Sequence, residues 1–122
     1  IKSSSDAFSI TKIVNGNNQK TVSFQCIQLS DQIVIIGVSA EVVSAYSLKI
    51  QAMFPNKIIM PVGCVGSVFG YWPTRKMLKE GGYEVVKFKK KFSLEGDFIE
   101  ENIEGMLSGS VSRMLSNTNK KY

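Results

Sequence analysis

Ile33-Val34-Ile35-Ile36 is a continuous β-branched run, the pattern of a strand buried on both faces, and it follows a tight turn at Ser30-Asp31. Upstream, Thr21 to Leu29 alternates polar and apolar side chains, with one slip, at the period of a strand that buries a single face. Together they predict a hairpin leading into the interior of a sheet, with Gly37 to Ala40 as its exit. From Glu41 the period changes. Val42, Tyr46, Ile50 and Met53 recur at three and four residues, the stripe of an amphipathic helix, which Pro55-Asn56 ends. Lys57 to Val62 then returns to a short apolar strand, and strand, helix, strand in this order predicts a right-handed parallel crossover.

The second half is punctuated by glycine and proline. The loop Gly63 to Gly70 contains three glycines, which permit unusual backbone angles. Thr74 to Glu80 predicts a second, short helix with Pro73 near its start and Gly81-Gly82 at its end. Tyr83 to Phe92 reads as extended. Asp97 with Glu100 three residues later has the form of a capping box, and Ile99, Ile103, Met106, Leu107, Val111 and Met114 line the apolar face of a long terminal helix. The fold class expected is α/β: a mixed sheet with a β-hairpin, a βαβ crossover and a long C-terminal helix, forming part of a larger domain. Its organisation would be a flexible or extended lead-in over 1–20, an α/β segment over 21–115 and a polar tail over 116–122.

Composition narrows the function classes. With 43% apolar and 20% charged residues, neither a disordered chain nor a fibrous repeat is favoured. No run approaches the roughly 18 consecutive apolar residues that span a bilayer, since Glu41 stops the stretch from Gln32 and Lys57 to Val68 is too short. The start at Ile1, without an initiator Met or a signal pattern, reads as a processed or excised fragment, and the compartment is left open. Cys26 and Cys64 are the two cysteines, read here as partly buried free thiols. There is no His, so a His-dependent metal site or triad would have to be completed by another chain or segment.

Two residues stand out for chemistry. Glu41 follows a buried strand, at the kind of edge where ligand sites gather in open α/β sheets, although a Glu in a first helical turn is also favoured by the helix dipole. Tyr71 follows the glycine-rich loop after the next strand and would emerge at the same edge if the strands are neighbours; the plainer alternative is an aromatic packed under a loop. Tyr83 opens the segment after Gly81-Gly82.

These residues carry a resemblance. The span from about Gln25 to Leu115 resembles the last part of the catalytic domain of neutral/alkaline (non-lysosomal) ceramidases and their uncharacterised bacterial relatives. It reads Ser39-Ala40-Glu41 at a strand-to-helix turn, Tyr71-Trp72-Pro73-Thr74 after the loop and Tyr83-Glu84 at the close. Two departures are Ser39-Ala40 in place of the family's Pro-Gly and Pro73 in place of one of its paired threonines. The resemblance implies a zinc-dependent amidohydrolase acting on a lipid-like amide substrate, in which Glu41 and Tyr71 are metal ligands and Tyr83 stands near the scissile amide as a catalytic group. It also implies that two histidines come from an N-terminal portion of the same protein or from a second chain, so that this chain is incomplete and inactive alone.

The densest charge run, Lys87-Phe88-Lys89-Lys90-Lys91-Phe92, contributes four of the 15 basic residues behind the net charge of +5. Read as extended, it is a half-buried edge strand with a charged outer face, and lysines there discourage aggregation. The rival function is a non-catalytic interaction module on the same scaffold, binding an anionic surface through Lys87 to Lys91 as a peripheral membrane contact. Nucleic-acid binding ranks last and is not expected. No Walker loop, dinucleotide fingerprint, EF-hand loop, CxxC pair or GxSxG elbow is present.

Overall fold

The computed structural model describes residues 1–12, 18–66, 68, 70–92 and 98–118. Strands β1 (Lys2–Lys12), β2 (Asn18–Gln28), β3 (Ile33–Val38) and β5 (Ile58–Val62) form a mixed sheet in the order β1-β2-β3-β5, and β4 (Glu41–Val42) pairs with β6 (Tyr71–Trp72) in a separate two-stranded ribbon. Helices α1 (Ala45–Met53), α2 (Arg75–Glu80), α3 (Tyr83–Phe92) and α4 (Phe98–Thr118) complete the chain. This is the α/β architecture expected, with its mixed sheet and C-terminal helix. The hairpin is the antiparallel pair β2–β3, and the crossover is β3–α1–β5, whose strands run parallel from Ile33 opposite Ile58 to Gly37 opposite Val62. The lead-in forms β1, antiparallel to β2 from Lys2 opposite Gln28 to Lys12 opposite Asn18.

Alternation decides which side of the sheet is dry. Val22, Phe24 and Cys26 of β2, Val34, Ile36 and Val38 of β3 and Ile59 of β5 point into one core together with Tyr46, Ile50, Trp72, Leu78, Val85, Phe88, Ile103, Leu107, Val111 and Met114. Each such aliphatic or aromatic side chain contributes about 1.5–3 kcal/mol when fully buried. On the other side, Ile33 and Ile35 are half-buried, while their register partners Ile58 and Met60 are exposed. Val65 folds back over Gly37: a Cβ there would stand 3.3 Å from a Val65 methyl, so glycine admits the loop.

The outer edge of β5 is closed to further pairing. The Ile59 N–H donates to Gln51 Oε1 at 3.0 Å, Gln51 Nε2 donates to the Lys57 carbonyl at 2.6 Å, and Pro61 has no N–H to offer.

Four sequence expectations change. Tyr83–Phe92 is a helix, not an extended edge strand. Val85 and Phe88, three residues apart, both reach the core, and Phe88 meets Trp72 edge to face at 5.8 Å and 85°. Glu41 lies on a strand because its N–H donates to the Gly70 carbonyl at 2.7 Å, and the helix starts four residues later at Ala45. Met53, placed on the buried stripe of α1, is 37% exposed. Of the two thiols, Cys26 is buried and Cys64 is exposed; both are free. The Asp97 cap lies outside the described residues.

Helix α2 follows its sequence signals. Thr74 Oγ1 accepts from the Met77 N–H at 3.2 Å, a cap of about 1 kcal/mol, and Gly81 ends the helix at φ 83°. Gly82 follows at φ 115°, so two consecutive residues take backbone angles that side chains resist. That tight link turns the chain directly from α2 into α3.

Candidate functional site

The site is built from two strand exits. β3 and β5 are parallel neighbours, so their carboxyl ends lie at one edge of the sheet. Where β3 stops, Ser39 prolongs its pairing with β2: its N–H donates to the Ser23 carbonyl at 2.9 Å and its Oγ accepts from the Ser23 N–H at 2.7 Å. A proline at this position could not make the first bond. Ala40, fully buried, accepts from the Cys64 N–H at 3.0 Å, which fixes the start of the loop after β5 beside the start of β4.

Glu41 follows Ala40 directly, and Tyr71 comes at the far end of the loop after β5, one residue past Gly70, whose carbonyl accepts the Glu41 N–H. Glu41 and Tyr71 are register partners in the parallel pair β4–β6, as Val42 and Trp72 are one residue further on. Paired strands run about 4.8 Å apart, so the two side chains stand next to each other. Alternation then sends Trp72 inward, fully buried, with its Nε1–H donating to the Ile103 carbonyl at 3.1 Å. Glu41 is exposed and Tyr71 half-buried.

Tyr83 joins them from α3. Its ring meets that of Tyr71 edge to face at 5.8 Å and 79°, and Lys87 Nζ lies 5.4 Å from the Tyr83 ring centroid, within cation–π range. The structure thus brings together Glu41, Tyr71 and Tyr83.

Electrostatics give the cluster its character. The Tyr71 phenol is held above its ordinary pKa of 10.0 first by loss of solvation, then by the negative field of Glu41, with Tyr83, a hydrogen bond to Glu41 and the charge of Glu84 acting in the same direction. In the free chain Tyr71 is therefore a neutral phenol and Glu41 can accept its proton in a hydrogen bond. A cation bound between them would reverse this balance, since its charge favours the phenolate.

Glu84 and Lys87 also belong to this neighbourhood, although the sequence reading gave Glu84 no chemical role and put Lys87 on the charged outer face of an edge strand. With Tyr83 on a helix, residue 87 is one turn on and returns to the same face; the extended reading of that segment concealed the relation.

The donor set is partial. The chain has no His, and among the described residues no group of three or more His, Cys, Asp or Glu could hold a metal ion. Glu41 and Tyr71 offer one carboxylate and one phenol, which suits part of a catalytic zinc set and leaves nitrogen donors to be supplied from elsewhere. A separate open groove of about 470 Å³ between α1 and α4, with Tyr46, Ile50, Met53 and Leu107 among its walls, contains none of these residues. Compared with known proteins, the chain matches no family model, no curated protein and no solved structure.

Proposed function

We propose that this chain is the C-terminal portion of a ceramidase-like, zinc-dependent amidohydrolase, completed by a histidine-bearing N-terminal portion or second chain. The observation that carries the reading is the register pair Glu41–Tyr71 with Tyr83 against it. One carboxylate and one phenol would hold the metal from this side, and the missing nitrogen donors would close the set.

When bound, zinc supplies a Lewis acid and an activated water for hydrolysis of an amide. The chain's own residues have simpler tasks. Glu41 accepts a hydrogen bond from the Tyr71 hydroxyl at the sheet edge, and the carboxylate and the phenol oxygen are the two atoms that would hold a cation. Tyr83, standing 62% exposed at the rim, presents a phenol that donates to the carbonyl oxygen of a lipid-like amide as negative charge develops there. Lys87, over the Tyr83 ring, favours that charge electrostatically.

The test is a titration of the chain with zinc in the presence of imidazole as a stand-in for the missing histidines, read by ultraviolet difference absorbance of tyrosinate. A signal that saturates and disappears in Tyr71→Phe and weakens at least ten-fold in Glu41→Gln is expected. A tyrosinate signal unchanged in both variants, or none at all, would remove the metal reading.

A further inference from the structure

The net charge of this protein is concentrated in one stretch of its sequence. Residues 75–92, which comprise α2, the Gly81-Gly82 link and α3, hold seven basic and two acidic side chains, a net +5. The remaining residues carry eight of each sign, so this one segment accounts for the whole net charge. Arg75, Lys76, Lys79 and Lys87 are all exposed. Glu80 lies 3.7 Å from Lys76, but both side chains are more than half exposed, and such a pair neutralises little.

The segment also exposes apolar surface. In α3, Val85 and Phe88 are buried and pin the helix to the core, leaving Tyr83, Val86 and Lys87 on the outward side at a spacing of three and four. Tyr83 is 62% exposed and Val86 61%. A helix that offers lysine, tyrosine and an aliphatic residue to solvent while its other side is anchored has the composition of an interfacial helix, with the apolar groups entering the acyl boundary and the cations meeting headgroups.

We infer that the α2–α3 surface docks on an anionic lipid bilayer. Charge complementarity identifies the partner as anionic, and exposed Val86 beside the Lys87 stem favours a bilayer, whose acyl boundary takes up aliphatic side chains, over a nucleic acid met mainly through its phosphates. Among the described residues no helix is long and apolar enough to cross a membrane, and the inferred contact is made by a surface face. Tyr83 belongs both to this surface and to the cluster with Tyr71, so the docked face carries the mouth of that cluster against the headgroups. The inference stands without any metal at Glu41 and Tyr71.

Cosedimentation of the chain with phosphatidylcholine vesicles, with and without phosphatidylserine, tests it. Binding should require phosphatidylserine and fall with added salt. The double variant Lys76→Gln/Lys79→Gln should bind about twenty-five-fold more weakly, from about five-fold per lysine near an anionic surface. Val86→Ser should lose roughly five-fold without altering the salt dependence, because it removes apolar insertion alone. Circular dichroism confirms that each variant is folded. Equal binding to both kinds of vesicle, wild-type affinity in folded variants, or capture by single-stranded DNA at lower protein concentration than by the vesicles would each overturn the inference. Since vesicle binding is read without zinc, it can fail or hold independently of the amidohydrolase proposal.

Discussion

Glu41 and Tyr71 face each other across the parallel pair β4–β6, and the carboxylate helps keep the phenol protonated. The residues are thirty apart in the chain. They meet because β3 and β5 are parallel neighbours whose exits turn into the two strands of one ribbon.

The Tyr71 phenol should titrate closer to the ordinary tyrosine value in Glu41→Gln, since the substitution removes one of the charges that raise it. Spectrophotometric titration, with Tyr71→Phe identifying the transition, measures this. The phenol's raised pKa favours the folded state below its ordinary value of 10.0, and that contribution disappears as pH rises through the folded value. An unchanged Tyr71 titration in Glu41→Gln would mean the two side chains do not interact in solution.

Glu104 links three helices. Its Oε2 accepts from Lys49 Nζ at 2.6 Å and its Oε1 from the Arg75 N–H at 3.1 Å, and these contacts, led by the Lys49 bond, hold the carboxyl below its ordinary value of 4.5 despite an opposing loss of solvation. A depressed folded pKa gives stability that is full above the unfolded value and lost as pH falls through the folded one. Glu104→Gln should therefore cost about 1 kcal/mol near neutrality and nothing in strong acid. Urea melts across that acid range would show the two stability curves converging as pH falls; parallel curves would contradict it.

Gln51→Leu keeps most of the side-chain volume and removes the bonds to Ile59 and Lys57. We expect a loss of about 1–2 kcal/mol and concentration-dependent association through the unprotected edge of β5. Light scattering at matched folded fraction separates that association from simple destabilisation.

Trp72 is the only tryptophan and is fully buried, with its indole N–H on the Ile103 carbonyl. Trp72→Phe should destabilise the fold by about 1–3 kcal/mol through the lost bond and the space left behind. Chemical denaturation followed by circular dichroism measures it, and a midpoint within error of the wild type would place the indole's role elsewhere.

The sheet centre, α1, α2 and α4 were legible because their signals are local: β-branched runs, stripes at helical spacing, a proline near a helix start and a terminal glycine. Helix α3 was not. Lysines at 87, 89 and 91 alternate in parity with Phe88 and Phe92 and so satisfy a period of two, yet Val85 and Phe88 also satisfy a helical spacing, and docking of Phe88 on Trp72 goes with the latter. β1 was legible only as extended lead-in, since its serines carry no apolar alternation. Part of what holds it is tertiary: Ser4 Oγ donates to the Met114 carbonyl at 2.8 Å, and Asp6 accepts from Arg113. For the site, Glu41 and Tyr71 could be named from sequence, but their pairing register could not, and Lys87 entered only once the segment from Tyr83 coiled.

Tyr71 and Trp72 are consecutive residues of a two-residue strand, one facing the candidate site and the other sealed in the core. Tyr46, buried on α1, donates its hydroxyl to the Pro73 carbonyl at 2.9 Å and holds the same stretch from the other side. The edge that carries the candidate site therefore has no private hinge. Amide protons of β6 should exchange only through the opening that releases the core itself, so the site and the protein melt as one cooperative unit.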